Sequence, residues 1–276
     1  MVKQVAYLGP AGTFTEAAAL QYDRQAQLIP FHSIAAVAAA VASGVVEEGV
    51  VPIENSLEGS VTDTLDLLIH DYDLSIRTEM VIPIEHCLLI KPGGSAQEVG
   101  LIYSHPQALA QCRRFIEGRF PNAQAIAALS TAAAVEDMLA SPSPSFAIAT
   151  SRAAEIYGAE ILDQGIQDSS ANHTRFVVLA HHDHPPTGRD KTSLCFSFDD
   201  DRAGILYSVM GHFASRNINL AKVESRPNKQ GLGRYIFLVD IDGHRDDASV
   251  QEALSSVKDE VSMMKVFGSY PRYTDA

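Results

Sequence analysis

Four segments of the sequence place small or hydroxyl-bearing residues after an apolar, strand-like run and before a helical pattern: residues 9–15, 54–60, 104–106 and 129–132. The start of a helix exposes unpaired N–H groups and a partial positive charge. In an open α/β sheet, ligands bind at the carboxyl ends of the strands, where such helix starts meet. The segments therefore predict a pocket for a small carboxylate ligand, with four hydroxyls as added donors: Thr13, Ser56, Ser104 and Thr131. Taken singly, each is typical of an ordinary helix N-cap.

A polar loop at residues 166–176 leads into an apolar strand pattern. It places Thr174 and Arg175 at the edge of that strand. A guanidinium can bind a carboxylate through two parallel hydrogen bonds, so Arg175 is a candidate clamp for the ligand. An ion pair with Asp168, which would tie down the loop, is an equal alternative.

Neither a cofactor nor a metal is expected. The stretch 9–12 lacks the lysine of a P-loop and the glycine spacing of a dinucleotide-binding turn. His181, His182 and His184 lie close together, but no carboxylate or thiol stands at ligand spacing from them. We interpret these histidines as part of a solvated linker.

The composition predicts a soluble, cytoplasmic protein that does not bind nucleic acid. The chain has 276 residues, enough for two domains, and its net charge of −13 opposes nucleic-acid binding. The three cysteines form no C-x-x-C pair, which indicates a reducing compartment. The sequence shows no leader pattern and no apolar run that is long enough to span a membrane.

The chain divides into two regions and a linker. Strand-like and helical patterns alternate through residues 1–180, which predicts α/β architecture with mainly parallel sheets. Two prolines, a glycine and several polar residues mark residues 181–191 as the linker. Residues 192–276 follow the ferredoxin-like order βαββαβ, with a hairpin turn through Gly231 and Gly233.

The first 180 residues resemble the prephenate dehydratase family along their whole length. The resemblance is carried, in order and spacing, by residues 8–16, 51–59, 104–112 and 172–176. It implies a carbon–oxygen lyase that converts prephenate to phenylpyruvate in phenylalanine biosynthesis. It also implies a bilobal fold like that of type 2 periplasmic binding proteins, with the substrate between lobes 1–78 plus 157–180 and 79–156. No helical bundle precedes the first residue, so a monofunctional enzyme is expected.

Residues 192–276 resemble an ACT regulatory domain of the type fused to this enzyme. Gly204-Ile205-Leu206 stands where the family usually has Gly-Ala-Leu, and the bulkier Ile205 could weaken phenylalanine binding or change the effector. The resemblance implies that L-phenylalanine binds between paired ACT domains of a homodimer or homotetramer. The alternative is that these residues only pack a helix on its sheet. The implied effector-binding residues are Gly204, Ile205, Leu206, Asn219, Leu220, Glu224, Ser225, Arg226 and Pro227.

Prephenate carries two carboxylates and a ring hydroxyl, and loss of CO2 and hydroxide makes its ring aromatic. Hydroxide is a poor leaving group, so the site has to give it a proton or a strong hydrogen bond. By resemblance, Thr174 assists this step. A threonine hydroxyl is a very weak acid, so Thr174 could act as a hydrogen-bond donor within a polarised network. Glu58 and His105 are the alternative acids, and Glu58 would need burial in the cleft to remain protonated.

The candidate substrate-binding residues are expected to surround one cleft: Asn55, Ser56, Ser104, Gln107, Thr131, Arg175 and Phe176. Phe176 is expected to form part of the apolar wall around the ring. Arg175 is expected to grip the pyruvyl carboxylate, which the product retains. The hypothesis requires that Ser56, Ser104 and Thr174 share one hollow.

Three other functions compete with this interpretation. A non-enzymatic anion-binding protein of the same fold would usually be exported, and the sequence shows no leader pattern. An arogenate dehydratase would need an extra carboxylate to partner the amine of its substrate, and the sequence places none. A pure amino-acid sensor would leave residues 1–180 unexplained.

Overall fold

The described part of the chain folds into three β-sheets with helices packed against them. A computed structural model describes residues 2–95, 99–199, 202–229 and 233–274. Gly231, which the sequence places in the last hairpin turn, lies outside the described residues. Within the described ranges, no helix has the length and apolar character needed to cross a membrane.

The helices and strands alternate along the chain as the patterns predict. The first sheet and its helices comprise β1 (Gln4–Leu8), α1 (Phe14–Tyr22), β2 (Gln27–Phe31), α2 (Ile34–Ala42), β3 (Glu48–Asn55), β4 (Gly59–Ser60), α3 (Thr62–Asp66), a π-helical turn (Leu67–Asp71) and β5 (Ser75–Pro83). The second comprise β6 (Cys87–Ile90), β7 (Leu101–Ser104), α4 (Pro106–Gln111), α5 (Arg113–Arg119), β8 (Gln124–Ala127), α6 (Thr131–Ala140), β9 (Ser145–Ala149), α7 (Ser151–Tyr157) and β10 (Glu160–Gln164). Then follow β11 (His173–Ala180), β12 (Asp190–Ser197), α8 (Ile205–Ala214), β13 (Leu220–Pro227), β14 (Tyr235–Asp242), α9 (Ala248–Glu260) and β15 (Met263–Pro271).

The first two sheets form two lobes with the same topology. Their strand orders are β2-β1-β3-β11-β5 and β8-β7-β9-β6-β10. In each sheet three neighbouring strands are parallel, and the other two strands of this order run antiparallel to their neighbours. The predicted two-lobed α/β fold is confirmed. The sheets are mixed, however, and not mainly parallel as predicted. In each lobe, the strand that follows a connection from the other lobe, β11 or β6, runs antiparallel to its neighbours.

Two neighbouring crossings connect the lobes, at residues 84–86 and 165–172. The backbone N–H of Ile84 donates to the carbonyl of Asn172 at 2.8 Å, and that of Ile166 donates to the carbonyl of His86 at 3.1 Å. β10 pairs with β6, so residues 160–164 belong to the second lobe, whereas the sequence pattern predicts them in the first. The crossings thus lie several residues beyond the expected boundaries at 79 and 157.

The C-terminal region has the predicted order βαββαβ, with strand order β13-β14-β12-β15. Alternation along β12 gives its sheet two buried faces. Leu194 and Phe196 pack under α8 and α9, whereas Cys195 joins the core of the first lobe. The C-terminal domain therefore shares a hydrophobic core with the first lobe.

Candidate active site

A cleft of about 320 Å³ opens between the two lobes. Thr13, Asn55 and Thr174 line it from the first lobe, and Gln107 and Thr131 line it from the second. None of the described residues that line the cleft is Lys, Arg, Asp or Glu. Its polar surface consists of hydroxyls, side-chain amides and three histidines: His32, His86 and His105.

Hydroxyl groups cap two of the helices that begin at this cleft. The Thr13 hydroxyl caps α1 by accepting from the N–H of Glu16 at 3.4 Å, and the Ser130 hydroxyl caps α6 by accepting from the N–H of Ala133 at 2.9 Å. Both capping residues line the cleft. The first turn of each helix carries a partial positive charge, which attracts carboxylates although the lining has no cationic side chain. Two of the four predicted segments, residues 9–15 and 129–132, thus place a capped helix start at the cleft.

Thr174 lies in the cleft, directly across the sheet from Asn55. The side-chain Nδ2 of Asn55 donates a hydrogen bond to Thr174 Oγ1 at 2.8 Å. Since the threonine oxygen accepts here, the hydroxyl keeps its own hydrogen for a further partner. Within the described ranges this hydrogen has no acceptor in the protein, so a bound substrate can receive it.

The orientation of the Asn55 amide is fixed by the backbone. Its Oδ1 accepts from the N–H groups of Leu57 at 2.9 Å and Glu58 at 3.2 Å. Only the Nδ2 group can then face Thr174, because an exchange of the two amide atoms would break both bonds. Asn55 therefore acts on Thr174 as a donor.

A chain of side chains extends this contact across the cleft floor. Asn55 Nδ2 also donates to Asn172 Oδ1 at 2.9 Å, and Asn172 Nδ2 donates to Gln111 Oε1 at 2.9 Å. The Nε2 of buried His86 lies 3.0 Å from the same Gln111 oxygen. Burial lowers the pKa of His86, against the opposing effect of its bond to Gln111, so the ring is neutral at pH 7 and donates from Nε2. We call these residues, from His86 to Thr174, the amide chain.

His105 combines a position in the cleft with a structural bond. Its Nδ1 accepts from the backbone N–H of Gln107 at 3.3 Å, and the residue caps α4. A neutral ring that accepts at Nδ1 carries its hydrogen on Nε2. His105 therefore accepts from the backbone at Nδ1 and keeps one N–H group as a donor.

The requirement that Ser56, Ser104 and Thr174 share one hollow is wrong for two of the three: Ser56 and Ser104 do not line the cleft. The Ser56 hydroxyl donates to the carbonyl of Ala171 at 2.8 Å and accepts from the N–H of His173 at 2.9 Å, which fastens the loop before β11. The fully buried Ser104 donates to the carbonyl of Ile148 at 2.6 Å, between β7 and β9. Both hydroxyls are occupied within the protein, so Thr174 is the one member of this trio that lines the cleft.

Glu58 lies outside the cleft lining and is exposed to solvent. Its carboxylate accepts from Gln111 Nε2 at 3.2 Å. The burial that would keep this carboxyl protonated is absent. Glu58 instead helps to orient the Gln111 amide, whose oxygen belongs to the amide chain.

Arg175 faces away from the cleft, contrary to both of its predicted roles. Successive side chains of a strand point to opposite faces, so Thr174 and Phe176 face one side of β11 and Arg175 the other. Its Nε lies 2.6 Å from Glu79 and its Nη1 lies 2.7 Å from Asp240. The expected partner Asp168 accepts from the N–H of Arg114 instead. Arg175 is thus neither a clamp for the substrate nor a tie for the loop.

The remaining substrate candidates line the cleft. Gln107 follows the His105 cap on α4, and Thr131 is the first residue of α6. Phe176 is buried and belongs to the apolar part of the lining, together with Ile84 and Leu8. This placement agrees with the expectation that Phe176 forms part of an apolar wall.

The candidate effector residues fall into two places in the single chain. Gly204, Ile205 and Leu206 line a cavity of about 430 Å³, together with the exposed Tyr207 and Tyr235. Leu220 and the other candidates, Asn219, Glu224, Ser225, Arg226 and Pro227, do not line it.

The Glu-Ser-Arg-Pro motif is split by strand alternation. On β13, Arg226 pairs with Asp66 at 2.9 Å and Glu224 bonds to Ser60, so both side chains face the first lobe. Ser225 and Pro227 are exposed on the outer edge strand of the C-terminal sheet. Asn219 bonds to Asp242 at 3.2 Å.

Three members of the amide chain are not among the residues predicted from the sequence: His86, Gln111 and Asn172. One of them left a readable signal, because Gln111 follows Gln107 by four residues and lies on the same helix face. Asn172 and His86 lie on the crossings between the lobes, and their partners are far away in sequence. Only the tertiary structure brings them together.

Comparison with known proteins agrees with this geometry. The family model for prephenate dehydratase matches residues 5–184, and the model for the ACT domain matches residues 200–259. The chain belongs to the prephenate dehydratase family. The prephenate dehydratase of Bacillus subtilis is 37% identical over 282 residues, which cover 98% of this chain and 99% of that protein.

Other members of the prephenate dehydratase family are similarly close. The bifunctional chorismate mutase/prephenate dehydratase of Aquifex aeolicus is 43% identical over 270 residues, covering 98% of this chain and 74% of that protein. The crystal structure of prephenate dehydratase from Arthrobacter aurescens in complex with L-Phe superposes with a TM-score of 0.89 at 35% identity, covering 98% of this chain and 90% of that one. The likeness therefore extends over both the lobes and the ACT domain.

Proposed function

We propose that this member of the prephenate dehydratase family converts prephenate to phenylpyruvate in the interlobe cleft, and that the Thr174 hydroxyl assists the departing hydroxide. The observation that carries the proposal is the hydrogen bond from Asn55 Nδ2 to Thr174 Oγ1 at 2.8 Å. It turns the hydrogen of the threonine hydroxyl toward the cleft and fixes where that hydrogen can be donated.

The reaction breaks two bonds of the ring substrate. The electron pair of the bond to the ring carboxylate moves into the ring as CO2 leaves, and the pair of the bond to the ring oxygen leaves with hydroxide. Thr174 stabilises the developing negative charge by donating a hydrogen bond, and solvent finally supplies the proton that makes water. A donor that is already oriented in the free enzyme needs no reorganisation at the moment of reaction. General-acid assistance of this kind contributes about 10²–10⁴-fold to the rate.

A described lining without Lys or Arg suits a substrate that must lose one of its two carboxylates. A fixed cation would stabilise the negative charge on the leaving carboxylate, which has to move into the ring, and would oppose decarboxylation. The starts of α1 and α6, with Gln107 and Thr131, offer weaker dipolar donors for the pyruvyl carboxylate that remains. The site thus positions the dianion through dipoles and hydrogen bonds.

The same lining favours prephenate over arogenate. Arogenate carries an ammonium group in place of the keto group, and a buried ammonium needs a carboxylate partner. None of the described residues that line the cleft is Asp or Glu. We therefore expect kcat/KM for arogenate to be at least tenfold below that for prephenate. Steady-state kinetics with each substrate measures this ratio.

L-Phenylalanine is the proposed effector, acting on a homodimer or homotetramer. Two features support an interface at the ACT domain. Gly204, Ile205 and Leu206 line a cavity at the start of α8, and β13 is an outer strand with Ser225 exposed. An outer strand has unpaired backbone groups that can bind a second copy. Calorimetry with L-phenylalanine on the full chain, combined with light scattering, tests both the site and the assembly.

The decisive experiment for the reaction is the substitution Thr174→Val, assayed by phenylpyruvate absorbance. Valine keeps the shape of threonine and removes the hydroxyl. We expect kcat to fall at least 100-fold with KM changed less than threefold, because the lost bond forms mainly in the transition state. Thr78→Val is a matched control, because it makes the same substitution at a threonine outside the cleft lining. Near-normal turnover by Thr174→Val would eliminate Thr174 as the assisting group.

A further inference from the structure

The ACT domain contacts the strand pair that carries Thr174 and Asn55. On β11 and β3, Thr174 lies opposite Asn55, and the next pair along is Arg175 opposite Glu54. Side chains alternate between the faces of a sheet. The first pair therefore faces the cleft, and the second pair faces the C-terminal domain.

The Arg175 guanidinium is enclosed by groups from two domains. Its side chain is only 12% exposed. Its Nε binds Glu79 of β5 at 2.6 Å, its Nη1 binds Asp240 of β14 at 2.7 Å, and its Nη2 binds the hydroxyl of Tyr270 on β15 at 2.7 Å. The ACT sheet thus supplies two of the three acceptors closest to this guanidinium.

The ACT domain also fixes the two acceptors themselves. The Ser193 hydroxyl of β12 donates to the second oxygen of Asp240 at 2.5 Å and bonds to the hydroxyl of Tyr270. Three neighbouring strands of the ACT sheet, β14, β12 and β15, therefore contribute one residue each to a buried cluster. A fully bonded buried network has one favoured arrangement, because any displacement leaves a charge without its partner.

Glu54, on the other strand of the pair, is also bound by a residue of the ACT domain. Glu54 accepts from Lys222 of β13 at 3.1 Å and from Arg175 Nη1 at 3.4 Å. Glu54 directly precedes Asn55 in the chain. Asn55 and Thr174 form the hydrogen bond in the cleft, and each is thus adjacent in sequence to a residue that binds the ACT domain.

The charges of the cluster persist at neutral pH. Burial opposes the charged form of Arg175, but Tyr270, Asp240 and Glu79 outweigh this effect and hold the pKa of the guanidinium above its ordinary range. Burial likewise opposes the charged form of Asp240, and Arg175 and Ser193 outweigh it, so that the pKa of this carboxyl lies below its ordinary value. Both groups therefore remain ionised and paired.

A β-bulge in the pairing of β11 with β3 lies beside both the buried cluster and Thr174. The pairing of β11 with β3 shifts register between Arg175 and Phe176, where Ile53 has no directly opposed partner. Such a bulge twists the strand and re-aims the side chains beside it. The guanidinium is anchored at this irregular point, one residue from the hydroxyl.

We propose that Asp240 and Tyr270 of the ACT domain are positioning residues for the dehydratase reaction: by holding Arg175, they set where the Thr174 hydroxyl stands in the cleft. The inference rests on the proposed role of Thr174. It assigns to the ACT sheet a part in catalysis that operates without any effector. Full turnover then depends on the contact between the two domains.

The test measures kcat and KM for prephenate, without phenylalanine, in Asp240→Asn and Tyr270→Phe of the full chain. Both changes keep the shape of the side chain. We expect kcat to fall about tenfold, within the range of couplings carried through packed networks, and KM to change less than twofold. The control is Asp242→Asn, two residues along the same strand, whose carboxylate pairs with Arg272 outside the cluster at 2.9 Å. Its kcat should stay within twofold of the unchanged enzyme.

Combination with Thr174→Val separates positioning from general damage. If Asp240 acts through Thr174, Asp240→Asn should lower the residual kcat of Thr174→Val by less than twofold. Circular dichroism verifies the folding of each variant. If Asp240→Asn does not fold, Tyr270→Phe alone tests the inference. The inference is overturned if folded Tyr270→Phe and Asp240→Asn keep normal kcat, or if the loss is the same with and without the threonine hydroxyl. Normal turnover by Thr174→Val would instead refute the proposed function.

Discussion

The substitution Asn55→Asp reverses the polarity of the bond that orients Thr174. In the native cleft, Asn55 Nδ2 donates to Thr174 Oγ1 at 2.8 Å. A carboxylate of the same shape keeps the two backbone bonds at Oδ1, but it presents an acceptor to the threonine. The hydroxyl then turns and donates its hydrogen to the introduced carboxylate in place of the departing hydroxide.

The expected fall in kcat follows from the new hydrogen bond between the Thr174 hydroxyl and the introduced carboxylate, because that bond must be broken before catalysis. A hydrogen bond to a charged group contributes about 1.5–3 kcal/mol. At about 1.36 kcal/mol per tenfold change in rate, kcat should fall about 10- to 150-fold. The new charge also repels the dianionic substrate, so KM should rise. The change in kcat is therefore the diagnostic quantity.

The assay is a double-mutant cycle on kcat with Thr174→Val. Without a threonine hydroxyl, there is no hydrogen to misdirect, so Asn55→Asp should lower the residual kcat much less than it lowers that of the native enzyme. Asn122→Asp, at an exposed position outside the cleft lining, controls for the added charge. Equal losses in both backgrounds would refute the reasoning, since Asn55 would then act independently of the hydroxyl.

Three further predictions concern stability and reactivity. Burial raises the pKa of the Cys87 thiol to about 11, and burial raises the pKa values of the Cys112 and Cys195 thiols to about 12. Because the thiolate is the reactive form, labelling of the folded protein at pH 8 should be at least about 100-fold slower than labelling in urea, as a thiol reagent measures. The pKa of Asp240 is depressed in the folded state, so its contribution to stability is present above the unfolded value near pH 4 and is lost as the pH falls further. Thermal melting of Asp240→Asn should therefore depend less on pH below about pH 4 than that of the native chain. Gly268 has φ +143° and a Cβ there would overlap the backbone of Ile76, so Gly268→Ala should lower the unfolding free energy by about 1–3 kcal/mol in urea titration.

The sequence predicts those parts of the site that local patterns control. Helix starts follow strands at Thr13 and Ser130, and both reach the cleft, because capping chemistry and strand order together determine where a helix begins. These helix starts depend on short-range rules that a single sequence displays. The position of Thr174 in the cleft was expected only from the resemblance to the family.

The wrong prediction that Arg175 faces the cleft could have been avoided in part. Once Thr174 is assigned to the cleft, a period of two residues places Arg175 on the opposite face of β11. What that face meets could not be read from the sequence, because Asp240 and Tyr270 come from another domain. A short sequence motif can thus combine neighbours that work on different sides of a sheet.

Ser104 and Asn172 show where single-sequence reasoning ends. Whether Ser104 faces a ligand or the neighbouring strand depends on how β7 lies against β9, which local pattern does not determine. Asn172 bridges Asn55 and Gln111 across long stretches of chain. Such contacts are set by packing, so they become visible only when the lobes are assembled.

The two crossings between the lobes run side by side and are bonded to each other, which places any hinge axis of the molecule along them. Rotation displaces an atom in proportion to its distance from the axis. His86 and Asn172 lie on the crossings, whereas the exposed Leu129 lies at the edge of the cleft on the second lobe. The mouth can therefore widen for entry and exit of small molecules while the atoms nearest the pivot keep their spacing.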